Sequence, residues 1–272
     1  MENKNKRAAH RVAAAVNTKS KNMKTKRLIL FTPLVISAIA LFSSFVNGAN
    51  ADFYKKLKKY CSSLQTEFKQ IDSERQKDLK EMGDYLIEKR SSHQTANLVF
   101  ICTSNSRRSH LAQIWAKTAA MYYGIDSITT FSGGTEAKQV HKNAIAALKR
   151  CGFSVTSNKT GDNPVWFITT SNQSAGWGIW SKKYNDASNP KKDFCAAMVC
   201  SEADHACPNV EGAELRIGMP YDDPKYYDNT PSQDQKYDER CREIARDMFF
   251  MMDYVKQKMI LKLESKKHVS GH

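Results

Sequence analysis

Residues 98–109 read Leu98-Val99-Phe100-Ile101-Cys102-Thr103-Ser104-Asn105-Ser106-Arg107-Arg108-Ser109. A β-prone apolar run ends in a cysteine, five polar or charged residues follow, and an arginine and a serine close the stretch. A helical pattern then begins at His110 and continues through Leu111, Ile114 and Trp115. This is a strand, a tight loop and a helix N-terminus, an arrangement that gathers backbone N–H groups around an oxyanion. Cysteine at the loop's start and arginine at its end can face one tetrahedral anion. The spacing therefore points to nucleophilic attack by a thiolate on phosphate or a phosphate-like oxyanion.

Each residue of the loop has an expected part. Backbone N–H groups of residues 103–108, the positive end of the helix dipole and Arg108 all favour the thiolate form of Cys102. Arg108 can hold two oxygens bidentately, which lysine cannot. The Ser109 hydroxyl can donate to the sulfur when the thiolate leaves, and Asn105 can fix the loop's shape. Thr103, Ser104, Ser106 and Arg107 complete the expected anion-binding set. A leaving-group acid is also needed, and Tyr221-Asp222-Asp223-Pro224-Lys225-Tyr226-Tyr227 supplies a candidate in Asp223. The following proline favours extended backbone at that carboxylate and stiffens the loop that aims it.

Working outward, strand and helix patterns alternate from Asn97. Strand 97–102 leads to helix 109–123, strand 128–132, the turn Gly133-Gly134-Thr135 and helix 139–151. Further apolar runs occupy 165–170, 194–200 and 215–219, and a closing helix spans about 233–261. The pattern predicts an α/β fold, a parallel sheet flanked by helices, with the key loop at the carboxyl end of its first strand. Between Asn158 and Lys192 the chain turns polar and aromatic. Val165–Ile168 and Gly176–Trp180, separated by Asn172-Gln173-Ser174, suggest a hairpin. Upstream, Leu57, Tyr60, Leu64, Phe68 and Ile71, then Leu79, Met82 and Leu86, follow helical spacing. They predict a helical extension over 52–94, with a capping box starting at Ser73 and a linker at Ser91–Thr95.

The chain has 272 residues, 41% of them hydrophobic, enough for one good core with length to spare. Its formal net charge is +14, yet residues 1–27 alone hold nine Lys or Arg against Glu2. The remainder carries only about +6 net, so the charge belongs mostly to a leader and does not mark a nucleic-acid-binding domain. Leu28 to Val46 is uncharged and apolar, and Ala49 and Ala51 suit a signal-peptidase site before Asp52. Residues 1–51 thus read as a basic leader with an export signal or membrane anchor, a cleaved signal being favoured. The rest is expected to be translocated to the periplasm or cell envelope, touching a membrane only through the N-terminal segment. Seven cysteines, an odd number, predict one or two disulfides at most and at least one free thiol.

Ile101-Cys102-Thr103 with Asn105-Ser106 and Arg108-Ser109, Gly134-Thr135-Glu136-Ala137, and Asp222-Asp223-Pro224 before a closing helix together resemble the low-molecular-weight protein tyrosine phosphatases and the related thioredoxin-coupled arsenate reductases. The resemblance covers about 95–258, within an expected catalytic domain at 95–262 that carries an insertion at about 160–192. It implies Cys102 as nucleophile, Arg108 as anion binder, Ser109 as thiolate support and Asp223 as general acid, with no metal or other cofactor. Arg107 departs from relatives that often place a second cysteine there. Cys200-Ser201-Glu202-Ala203-Asp204-His205-Ala206-Cys207 looks like the redox pair of the reductases, which would use a dithiol donor and a thioredoxin-like partner. Tyr226-Tyr227 instead resembles the phosphatases, where aromatic rings flank a phosphotyrosine. The leading expectation is a phosphatase acting on a phosphorylated protein or small phosphomonoester. The alternative is a reductase relay through Cys102, Cys200 and Cys207. A static disulfide between the last two is the plainer reading of that pair.

Overall fold

The computed structural model describes residues 52–269. The leader, the apolar run 28–46 and the expected processing site at Ala51 lie outside the described residues. In chain order the elements are α1 (Lys55–Leu64), a 3₁₀ turn (Gln65–Gln70), α2 (Ser73–Ser91), β1 (Ala96–Cys102), α3 (Arg108–Tyr123), β2 (Ile128–Gly134), α4 (Lys142–Cys151), β3 (Ser154–Ser157), β4 (Trp166–Thr169), β5 (Trp177–Ile179), β6 (Phe194–Met198), α5 (Ser201–Ala206), β7 (Ala213–Gly218), a 3₁₀ turn (Pro224–Tyr227) and α6 (Gln233–Val269).

Four strands form a parallel sheet in the order β2-β1-β6-β7. The apolar run of β1 is buried except at Asn97, as a strand covered on both faces requires. Because β1 and β6 are neighbours with Ile101 opposite Met198, Cys102 and Cys200 both emerge at the carboxyl edge of the sheet. The run 165–170 does not join this sheet, contrary to a reading of it as a further parallel strand. It forms β4, paired antiparallel with β5 as the hairpin pattern suggested and with β3 on its other side.

Helix α6 closes the fold over α3, and the apolar positions of α1 and α2 enter the same core. Leu57, Cys61, Leu64, Leu79, Met82 and Leu86 are all buried. Trp115 on α3 sits at the centre, stacked on Tyr60 of α1 at 5.3 Å and edge-on to Phe153 and to Phe249 of α6. Its indole N–H donates to the Cys241 thiol at 3.2 Å. The N-cap of α2 is Asp72, not Ser73: its carboxylate accepts from the Arg75 N–H at 2.8 Å, meeting one of the unpaired donors of the first turn. No helix among the described residues is long and apolar enough to cross a membrane.

All seven cysteines are free thiols, so the expected bridges are not formed. For Cys200 and Cys207 the reason is geometric. They flank the six-residue helix α5 as its N-cap and C-cap, and seven residues of helical rise set them about 10 Å apart, beyond disulfide reach.

The end of β2 requires glycine. A Cβ on Gly134 would lie 2.2 Å from the Glu136 carbonyl oxygen, 2.6 Å from that of Thr103 and 2.7 Å from the Asn105 nitrogen. These are backbone atoms and cannot swing aside. Gly134→Ala is expected to lower unfolding stability by about 2 kcal/mol through overpacking, measured by urea denaturation. An unchanged denaturation midpoint would show that the loop after β1 tolerates displacement.

Candidate active site

Cys102 is the last residue of β1 and is buried. Beyond it the chain turns sharply through Asn105, whose φ of 41° lies in the left-handed region that asparagine enters more readily than most residues. None of the backbone N–H groups of residues 103–107 donates to an acceptor among the described residues. Unpaired donors that curve around a thiol and lead into a helix N-terminus make a nest for an oxyanion.

Behind the loop a chain of hydrogen bonds ends on the sulfur. The Asn105 Nδ2 donates to Ser109 Oγ at 2.8 Å, and Ser109 Oγ lies 3.1 Å from Cys102 Sγ. An amide nitrogen can only donate, so the serine's own proton is left to point at the sulfur. The Lys182 N–H donates to Asn105 Oδ1 at 2.8 Å. His110 props the same turn: its Nε2 bonds the Asn105 carbonyl at 2.8 Å and its Nδ1 the Ser132 hydroxyl at 3.1 Å. Complete burial, reinforced by the Lys182 ammonium, pushes His110 down to about 3. Its ring is therefore neutral, with the proton on Nε2 facing the carbonyl.

A cleft of about 470 Å³ opens over the loop, lined by Cys102, Thr103, Ser104, Ser106, Arg107, Arg108 and Asp223, among others. Arg108 is nearly buried. One of its terminal nitrogens donates to Asp223 Oδ2 at 2.8 Å and the other to the Tyr221 carbonyl at 2.8 Å. The Asp223 side chain also caps the following 3₁₀ turn, accepting from the Lys225 N–H at 3.0 Å. The Cys102 thiol, the Arg108 guanidinium and the Asp223 carboxyl, read from segments more than a hundred residues apart, thus share one cleft. Asn105 and Ser109 do not line it. Their side chains are buried behind the loop, where the Asn105 amide links the Lys182 main chain to the Ser109 hydroxyl.

Arg107 is not a solvated charge. Its Nε donates to Tyr237 OH at 2.6 Å and a terminal nitrogen to Asp228 Oδ2 at 2.8 Å, in a cluster with His141 and Asn143. The opposite wall is the segment after β2. Ser104 Oγ donates to Glu136 at 2.7 Å, Ser106 Oγ donates to the Gln139 carbonyl at 2.6 Å, and the His141 N–H donates to the Ser106 carbonyl. Lys138, Gln139, His141, Glu202 and Lys225 also line the cleft and were missed in the sequence. The polar run after Gly133-Gly134 was the available signal for three of them. The α4 helix starts at Lys142 and not at 139 because this wall needs extended chain.

Tyr226 and Tyr227 do not line the cleft over Cys102. Tyr226 is 71% exposed, and both rings border a neighbouring cleft of about 470 Å³ beyond the Asp223-Pro224 turn, with Lys236 and Arg240. Trp177 and Trp180 are likewise outside the first cleft. Cys200 is buried as the N-cap of α5, with its thiol accepting from the Ala203 N–H and lying 3.5 Å from Thr103 Oγ1. Burial pushes that thiol up, so it rests protonated. Cys207 is half-buried at the other end of α5. Among the described residues no group of three or more His, Cys, Asp or Glu could hold a metal ion.

The His110 prop has a pH signature. An unfolded chain binds a proton near 6.5 that the folded chain refuses until about 3. This contribution to stability is therefore complete above pH 6.5 and declines as the pH falls from there towards 3, at a slope of up to ~1.4 kcal/mol per pH unit. Thermal melts between pH 7 and 4 should fall less steeply for His110→Gln than for the wild type. Parallel melting curves would refute a buried neutral ring.

The family model of low molecular weight phosphotyrosine protein phosphatases matches residues 97–162. Arsenate reductases of Bacillus cereus (strain AH187) and Brevibacillus brevis are each 30% identical over 127 residues, 47% of this chain and 75% of theirs. Among solved structures, a low molecular weight phosphotyrosine phosphatase from Vibrio cholerae aligns at 12% identity with a TM-score of 0.39, over 58% of this chain and 95% of that one. An arsenate reductase in the phosphate binding state aligns at 20% identity with a TM-score of 0.36, over 60% of this chain and 98% of its own. With a 30% identical relative matched over three quarters of its length and the family model matching residues 97–162, the chain belongs to the family of low-molecular-weight phosphotyrosine phosphatases and arsenate reductases.

Proposed function

We propose that this protein is a cysteine-dependent phosphatase that hydrolyses phosphotyrosine or small phosphomonoesters through a cysteinyl-phosphate intermediate, without a metal or other cofactor. One observation carries the reading: Cys102, the unpaired N–H groups after it, Arg108 and Asp223 border a single cleft. The thiolate attacks phosphorus while the loop amides and Arg108 hold the equatorial oxygens. An incoming oxyanion competes with Asp223 for the guanidinium; the released carboxylate takes up a proton from solvent and passes it to the departing oxygen. The same group then takes a proton from water, which displaces the thiolate and yields inorganic phosphate. Ser109 stabilises the sulfur as it leaves. The leader supports placing the domain outside the cytoplasm, anchored through residues 28–46 or released after Ala51.

The variants separate the roles. With an aryl phosphate as substrate, Cys102→Ser is expected to reduce turnover to background, and Asp223→Asn to lower kcat about 100-fold, in the range of general acid catalysis. Turnover that survives Cys102→Ser would end the proposal.

A second reading rests on the 3.5 Å contact between Thr103 Oγ1 and Cys200 Sγ, which puts a second thiol beside the nucleophile loop. In an arsenate reductase relay, Cys102 would displace an oxygen from arsenate. Cys200 would then attack the Cys102 sulfur, releasing arsenite as the arsenic gains two electrons. Cys207 would resolve the Cys102–Cys200 disulfide, and a dithiol donor, such as a thioredoxin-like protein, would reduce the Cys200–Cys207 disulfide. The attack of Cys207 on Cys200 requires α5 to unwind, because its two ends hold the two sulfurs apart. The second reading ranks below the first because export removes the chain from cytosolic thioredoxin. It predicts dithiol-dependent arsenite release that Cys207→Ala abolishes while aryl phosphate hydrolysis persists. Arsenite release that is unaffected by Cys207→Ala would exclude the relay.

A further inference from the structure

The segment 160–192 lies almost wholly beyond the family match, which ends at residue 162. Its tip nevertheless reaches the nucleophile loop. Ser181 is 2% exposed. Its hydroxyl donates to the Ser104 carbonyl at 3.2 Å and accepts from the Lys138 N–H at 2.9 Å, tying the anion loop to the wall across the cleft. The Asn163 side chain grips the Ser181 main chain on both sides, donating to its carbonyl at 2.8 Å and accepting from its N–H at 3.1 Å. The next residue, Lys182, is fastened to the end of β2, accepting from the Gly134 N–H at 2.9 Å, while the Tyr184 N–H donates to the Gly134 carbonyl at 2.9 Å. Ser181 and Lys182 thus have no freedom to drift from the loop.

This fastening has a chemical consequence. The Lys182 N–H faces Asn105 and must meet an acceptor, so it fixes Oδ1 on its own side and turns Nδ2 towards Ser109. With the amide reversed, two donors would face one another at Lys182. Oδ1 would then take the Ser109 proton that otherwise points at Cys102. The orientation of one amide decides whether the sulfur has a hydrogen-bond donor, and that orientation is imposed from the insertion. We infer that Ser181, with the main chain of Lys182, is a positioning element through which the 160–192 insertion holds the Ser109 hydroxyl on the Cys102 sulfur. Neither residue lines the cleft. The inference rests on Cys102 being the nucleophile.

The test compares Ser181→Ala, Ser181→Thr and Ser174→Ala in the full chain. Ser174 serves as the control, because its hydroxyl also binds main chain within the insertion but ties only Thr170 and Ser171, away from the loop. Two readouts are taken: the rate of Cys102 alkylation by iodoacetamide at neutral pH, located by peptide mapping, and kcat and KM for an aryl phosphate. Ser181→Ala is expected to slow Cys102 alkylation at least threefold and to lower kcat about tenfold with a smaller change in KM. Ser181→Thr should recover most of both, and Ser174→Ala should match the wild type even where its melting temperature falls. The inference is overturned if Ser181→Ala alkylates at the wild-type rate, or if Ser174→Ala slows alkylation equally. A wild-type chain that alkylates readily at Cys102 but hydrolyses no aryl phosphate would instead refute the phosphatase reading, and the alkylation comparison would still decide the role of Ser181.

Discussion

The site depends on Asn105 holding a left-handed turn whose side chain is satisfied on both ends. Its φ of 41° bends the chain back so that successive N–H groups converge, and its amide joins the Lys182 main chain to Ser109. A left-handed non-glycine residue costs of order 1 kcal/mol, which His110 and the two amide bonds offset. The turn in turn needs the bare Cα of Gly134 beside it, because β2 ends against the loop's own backbone. A glycine at a strand end and an asparagine in the next loop are two halves of one constraint.

Around that constraint the charges are arranged so that few are idle. Arg108 is held against Asp223 and the Tyr221 carbonyl, which keeps the guanidinium beside that carboxyl at the cleft. Arg107, one residue earlier, is pulled the other way by Tyr237 and Asp228. Two adjacent arginines at a helix N-terminus would repel each other and the helix dipole. Pairing them with separate carboxylates, Asp223 and Asp228, relieves both conflicts. It also gives α6, which supplies Tyr237, a direct hold on the loop.

Cys200 shows how the sheet registers a second thiol against the first. Parallel pairing of β1 with β6 places the ends of both strands at the same edge. A cysteine one residue past Val199 therefore reaches Thr103 without any special loop. Burial keeps it protonated, against the opposing effect of its N-cap bond from the Ala203 N–H, while Cys207 waits across a helix of six residues. A sulfur relay and a hydrolytic site are compatible with this one scaffold, and they differ in whether α5 opens.

Local pattern alone was enough for β1, the anion loop and α3, because apolar run, polar loop and a helix rich in buried apolar residues each follow from nearest-neighbour chemistry. The helices of the extension and the β4–β5 hairpin were legible for the same reason. The capping error at Asp72 and the late start of α4 arose where a side chain competes for a particular N–H or a wall needs extended chain, which periodicity does not register. The separation of Cys200 from Cys207, the exclusion of Tyr226 and Tyr227 from the first cleft and the binding of Arg107 to Tyr237 were decided by tertiary structure. So was the grip of Ser181 and Lys182 on Asn105. In sequence the chain carries the chemical identity of each group, since a thiol, a guanidinium or a carboxyl is fixed by its residue. Which groups meet depends on long-range strand register and on which hydrogen-bond donors find acceptors, and those are properties of the packed chain.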